Sequence, residues 1–214
     1  MSTTTLPSDT AAAVRVEIDD DATPVVRLIG RTLRDAVRVG HAPDVLGREA
    51  GTVAVRSHAT PQAATVTFAD GAVRVTGGVF APTDATVTVD LESRFAETAT
   101  EGDAELADAL LRALHVPLPD WREAADGFWA ATRGIRGIPD VLVAVAAGPD
   151  GREEARFGAG ATQYRVVGTP DALAGVFTGT DYLFTALERG LGIQGTMAQL
   201  SAMTAASWKV RYDV

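Results

Sequence analysis

Apolar residues recur along this chain at two spacings, and each change of spacing marks an element. Val14, Val16 and Ile18 alternate with charged neighbours, the period of a half-buried strand. From Thr23 the spacing becomes helical. Val25, Val26, Ile29, Leu33 and Val37 form one stripe, with Thr23 as N-cap, Pro24 in the first turn and Gly40 beyond the end. This predicts a helix near residues 23 to 39. Alternation then returns in "TVAVRS" (Val53, Val55), "ATVTF" (Val66, Phe68), "AVRVT" (Val73, Val75) and "ATVTVD" (Val87, Val89), and Asp70-Gly71 is a strong hairpin signal. An antiparallel meander with one buried face is expected. "GDAELADALLRALHV" (Leu106, Leu110, Leu114) reads as a helix, "PLPD" interrupts, and Trp121, Ala125, Phe128 and Trp129 share one face of the next helix.

The pattern then starts again. "DVLVAVAAGPDGREEARF" reads as strand, turn at Gly148 to Gly151, and strand; "ATQYRVVG" is another strand. Thr169 and Pro170 open a helix at "TPDALAGVF". Pro-Asp-Val-Leu occurs twice, at Pro43 to Leu46 and at Pro139 to Leu142, each after a predicted helix. Self-similarity of this kind suggests a duplication. The expected organisation is a flexible tail over 1–12, a first half over 13–116 and a second over 117–214, as two abbreviated copies or one enlarged domain.

Composition narrows the function. In 214 residues, 46% hydrophobic content is ample for a core without staples, and the absence of cysteine removes disulfides, thiolate metal sites and thiol nucleophiles. A net charge of −9 argues against nucleic acid as a partner. The opening residues carry neither a basic start nor an apolar run, so a cytoplasmic protein is expected, whose contact with membranes is transient at most. Arg27, Arg31, Arg34 and Arg38 stack along one side of the first helix, where a solvated face is the expectation and an anionic lipid surface the rarer alternative.

Candidate chemistry is sparse. Gly190, Gly192 and Gly195 spell G-x-G-x-x-G, the spacing that cradles a dinucleotide pyrophosphate, but the motif needs a strand before it and a helix after it. Tyr182, Leu183, Phe184 and Leu187 instead put a helix in front. The glycines are better read as a helix end (Gly190), a short strand carrying Leu191 and Ile193, and a turn (Gly195) into a last helix with Met197, Leu200 and Met203. Lys209 is the only lysine, so no Walker lysine exists. His41, His58 and His115 lack metal-ligand spacing, and neither Asp19 to Asp21 nor Glu153 and Glu154 form more than solvated charge. No metal, cofactor or catalytic group is expected.

The segment from Tyr164 to Met203 resembles the end of the sterol carrier protein type 2 (SCP2) domain. Val166, Leu173, Phe177, Gly179, Leu187, Gly190, Leu191, Ile193, Gly195 and Leu200 carry the resemblance, and Thr65 to Asp90 is similar to that family's sheet with its Asp-Gly hairpin. Two departures stand out: the segment after Asp90 lacks the Gly-strand-Gly element, and the second half is one strand short.

The resemblance implies an α+β fold, a mainly antiparallel sheet covered on one face by helices, with an apolar tunnel between the layers that binds lipids. A dry apolar cleft needs almost no convergent polar chemistry, since each buried methylene contributes about 0.8 kcal/mol. The expected function is therefore non-catalytic binding or transfer of a lipid or other hydrophobic small molecule. Phe177, Tyr182, Phe184, Leu187, Leu191, Ile193, Met197, Leu200 and Met203 are the expected lining, with Trp208 as a lid. The alternative is a tailoring enzyme that folds an apolar substrate in the same cavity, using Tyr164, Tyr182 or His115. A third reading is a module that pairs as a homodimer through an exposed sheet edge.

Overall fold

The computed structural model describes residues 14–48, 50–69, 71–149 and 151–213. The expected tail, and Asp70 and Asp150 in the two predicted turns, lie outside these residues. The chain is α+β. In order it forms β1 (Arg15–Ile18), α1 (Pro24–Arg38), α2 (Pro43–Leu46), β2 (Ala50–Ser57), β3 (Ala63–Ala69), β4 (Ala72–Gly77), β5 (Ala85–Asp90), β6 (Ala96–Gly102), α3 (Ala104–Leu114) and α4 (Trp121–Thr132). There follow β7 (Val141–Gly148), β8 (Gly151–Gly158), β9 (Gln163–Gly168), α5 (Pro170–Phe177), α6 (Leu183–Glu188), β10 (Gly192–Gln194) and α7 (Met197–Tyr212).

The strands form two sheets, one in each half. The first has strand order β1-β4-β3-β2-β5-β6, the second β10-β9-β7-β8. Both are mixed: β1 with β4, β2 with β5 and β7 with β9 run parallel, the other ladders antiparallel. The meander breaks at β5. Its strand does not pair with β4 before it but crosses to the far side of β2.

The two sheets share one strand plan. A central strand (β2 or β7) has its antiparallel hairpin partner on one flank (β3 or β8) and a parallel strand on the other (β5 or β9); an antiparallel strand closes that side (β6 or β10). The segment after Asp90 thus does supply a strand, β6, in the place that β10 holds in the second sheet. The repeated tetrapeptide is not equivalent in the two halves. Pro43 to Leu46 is a helical turn, whereas Val141 and Leu142 already belong to β7.

Alternation explains the burial. Val53, Val55, Val66, Phe68, Val73, Val75, Val87 and Val89 point from the first sheet into a core with Ile29 and Leu33 of α1 and Leu106 and Leu110 of α3. The other side of that sheet carries Thr65, Thr67, Thr86 and Thr88, half-buried, and Arg74, exposed. In the second half, α4 and α5 pack against β7 with Leu142, Ala144 and Ala146 inward. Val141, Val143 and Val145 point the opposite way and are still buried. Register puts Glu154 and Arg156 of β8 and Arg165 of β9 beside them, and Arg165 pairs with Glu154 at 2.8 Å. Charged side chains of this length cover apolar surface with their stems.

The halves meet through α7 and the turn after β5. Arg211 of α7 is buried and donates to the carbonyls of Gly179, Thr180 and Leu91, the last in the first half. Arg94 donates to Asp171 and Asp181, Thr185 to Glu92, and Arg189 to Ser93. Tyr212 packs against the first core.

Candidate functional site

A cleft of about 1280 Å³ opens in the molecule, and no strand residue lines it. It lies between the helical layers of the two halves. One wall is the second half of α1 with Leu114 and Val116 beyond it; the other is α4 with the ends of α5 and α7. Leu114, Val116, Leu118, Phe128, Phe177 and Val210 supply the apolar surface. Phe128 and Phe177 stack at 5.4 Å between ring centres.

The location follows from local sequence. Pro117 and Pro119 stop α3 and carry the chain across from one half to the other without regular structure, while Asp120 caps α4 by accepting from the Arg122 amide. Gly179 ends α5 with φ +71°, and a Cβ there would stand 2.7 Å from the Arg211 Cα. Only glycine lets α7 come this close.

One end of the cleft is lined by charged side chains of both signs. Arg31, expected on a solvated face, has a side chain only 11% exposed; its Nη1 donates to the Thr178 carbonyl and stands 3.5 Å from Asp35. Its Nε is buried with no partner. Burial pulls the Arg31 pKa below its ordinary value, with Asp35 opposing and Arg211 adding to the fall. Arg38 pairs with Asp35 at 2.9 Å and Arg34 with Asp213 at 3.2 Å, and Lys209 lines the same end. Glu123 and Asp126 line the α4 wall. His41 sits at the rim, 2.7 Å from the Arg112 carbonyl.

The residues expected to line a tunnel are dispersed. Phe177 lines the cleft. Leu191 and Met203 are buried in the second core, against which Leu187 and Ile193 also pack. Leu200 is half-buried, and Phe184, Met197 and Trp208 are exposed. Tyr182 lines a separate pocket of about 130 Å³ with Glu92, Arg94, Asp171 and Asp181, its ring 5.7 Å from that of Phe184.

The glycine motif has the surroundings of a strand, not of a phosphate cradle. Gly190 follows α6, β10 pairs with β9, and Gly195 lies against the Tyr164 ring, which a Cβ would meet at 2.5 Å. Thr196 and Gln199 then form a capping box for α7. The catalytic candidates stand apart: His115 is exposed at the end of α3, Tyr182 is in the small pocket, and Tyr164 is buried in the second core. Burial without a hydroxyl partner pushes the Tyr164 phenol up to about 12. It stays protonated at neutral pH.

Sequence reasoning missed Arg31, Phe128 and the Leu114–Leu118 crossing as site residues. Only the proline pair hinted at an exposed crossing between halves. Among the described residues, no group of three or more acidic or histidine side chains is placed to hold a metal ion, and no helix is long and apolar enough to cross a membrane. No family model, curated protein or solved structure matches this chain.

Proposed function

We propose that this chain is a non-catalytic binder of a lipid or other hydrophobic small molecule, and that the ligand lies in the cleft between the two helical layers. The cleft itself carries the reading: about 1280 Å³ walled by Leu114, Val116, Leu118, Phe128, Phe177 and Val210. Ligand sites of this kind are concave and mostly apolar, with few polar groups. The resemblance to SCP2 domains points to the same ligand class, with each half a helix-covered sheet of that kind. A tailoring enzyme is the weaker reading, because Tyr164, Tyr182 and His115 do not converge on one cavity.

A displacement assay with a fluorescent polyene fatty acid tests the proposal. Saturable binding is expected, weakened several-fold by Phe128→Ala or Phe177→Ala and unchanged by Met197→Ala on the exposed face of α7. Absence of saturable binding to acyl chains, sterols and isoprenoids would sink it. Binding that is insensitive to both phenylalanines but lost on changing Leu191 or Ile193 would return the ligand to a tunnel beneath β10.

A further inference from the structure

We infer that the cleft selects ligands with an anionic head, a carboxylate held at Arg31, while the apolar walls take the tail. The inference rests on the proposed ligand site and adds the chemistry of the end that anchors the ligand.

The whole chain carries −9, so an arbitrary patch of its surface is acidic. Arg31, Arg38 and Lys209 line this end of the cleft together with Asp35 and Asp213. The two carboxylates are already engaged: Asp35 is shared by Arg31 and Arg38, and Asp213 pairs with Arg34.

Arg31 is the least satisfied of these cations. It is buried beside another buried arginine, its nearest carboxylate oxygen is at 3.5 Å, and its Nε–H has no acceptor. A buried donor left unpaired costs more than a hydrogen bond returns, and chains rarely retain one without a use. Arg211 has the same defect at Nε, but three carbonyls occupy the rest of its fork and it does not line the cleft. Arg31 does line it.

A carboxylate entering between α1 and α7 would accept from Arg31. Glu123 and Asp126 stand on the α4 wall and would repel the same head, which orients it toward α1. Tail burial against Phe128 and Phe177 then gives affinity, and the head gives direction.

The test compares, on the intact chain, a saturated fatty acid with its methyl ester of equal length as competitors of the fluorescent probe. Acetate and inorganic phosphate are added as anions without a tail. The acid is expected to bind at least about tenfold more tightly than the ester, as a hydrogen bond to a charged group implies. Arg31→Met should remove the preference for the acid over the ester, and Arg31→Lys should restore part of it. Because Arg31 joins the halves, the wild-type comparison decides even where the variants unfold. Equal binding of acid and ester overturns the head-group assignment and leaves the apolar cleft standing. Failure of both to bind overturns both. Protection by acetate or phosphate at concentrations where the acid gains nothing over the ester would make this an anion site unconnected with the tail, and would also refute the proposal.

Discussion

Arg94 of the first half grips Asp181 of the second through two hydrogen bonds, Nε to Oδ1 at 2.7 Å and Nη2 to Oδ2 at 2.5 Å. The same guanidinium reaches Asp171 at 2.7 Å, so one side chain joins the β5–β6 turn to both ends of the α5 region. Its backbone is left-handed, φ +55°, as is that of the following Phe95, which is buried in the first core. Arg94→Met should lower stability by about 1–3 kcal/mol by stranding Asp181, whose side chain is 12% exposed. Urea unfolding measures this; an unchanged midpoint would mean that the halves do not depend on the clamp.

Acid should loosen the same junction. The Arg94 hydrogen bond holds the Asp171 carboxyl below the usual carboxylate range, and the Thr162 amide and hydroxyl do the same for Asp140. A carboxyl depressed in the folded chain takes up its proton more readily when unfolded. Its contribution is therefore complete above the unfolded value, near pH 4, and lost as pH falls toward the folded one. The urea midpoint should drop below about pH 4, and the gap between wild type and Arg94→Met should narrow there. A gap that widens in acid contradicts the assignment.

Gly179→Ala tests the approach of α7. A left-handed backbone costs an L-residue roughly 1–2 kcal/mol, and here the added methyl also meets the Arg211 backbone at 2.7 Å. A loss of more than about 1 kcal/mol is expected, together with weaker probe binding, since Lys209, Val210 and Asp213 line the cleft. Gly134→Ala, where a Cβ meets nothing within 4 Å, serves as the control.

Tyr164→Phe separates the binder from the enzyme. The buried hydroxyl has no partner, so its removal should leave stability unchanged or raise it by up to about 1 kcal/mol, with ligand affinity intact. Loss of a turnover that the wild-type chain performs would favour the catalytic reading.

Elements with a strong period were legible. The α1 stripe, the alternation of β2 to β5, and the helix-glycine-strand-helix run around Gly190 follow from local spacing and are observed. Strand β6 was not, because "AETATEG" lies at the sheet edge almost wholly exposed and needs no apolar alternation to hold its ladder with β5. The crossing of β5 to the far side of β2 was hidden for a related reason: pairing of β2 with β5 is a choice between distant segments that periodicity does not encode. Arg31 shows the limit most sharply. Its place in a basic stripe said solvent, yet the carbonyl that accepts its hydrogen bond belongs to Thr178, in the other half of the chain. For the aromatic and apolar residues near the C-terminal end, spacing does not say which side chains stay open: Phe177 reaches the cleft, Leu191 and Met203 are consumed by packing, and Phe184 and Met197 are exposed.

The role of α7 as the join between halves has a consequence for biosynthesis. The inward faces of the first sheet, α1 and α3 all come from residues before Val116, so that layer can condense while the rest is still being translated. The cleft cannot. Its lining includes Lys209, Val210 and Asp213, which are synthesised after every residue of that layer. A nascent chain therefore has no complete cleft until α7 has left the ribosome.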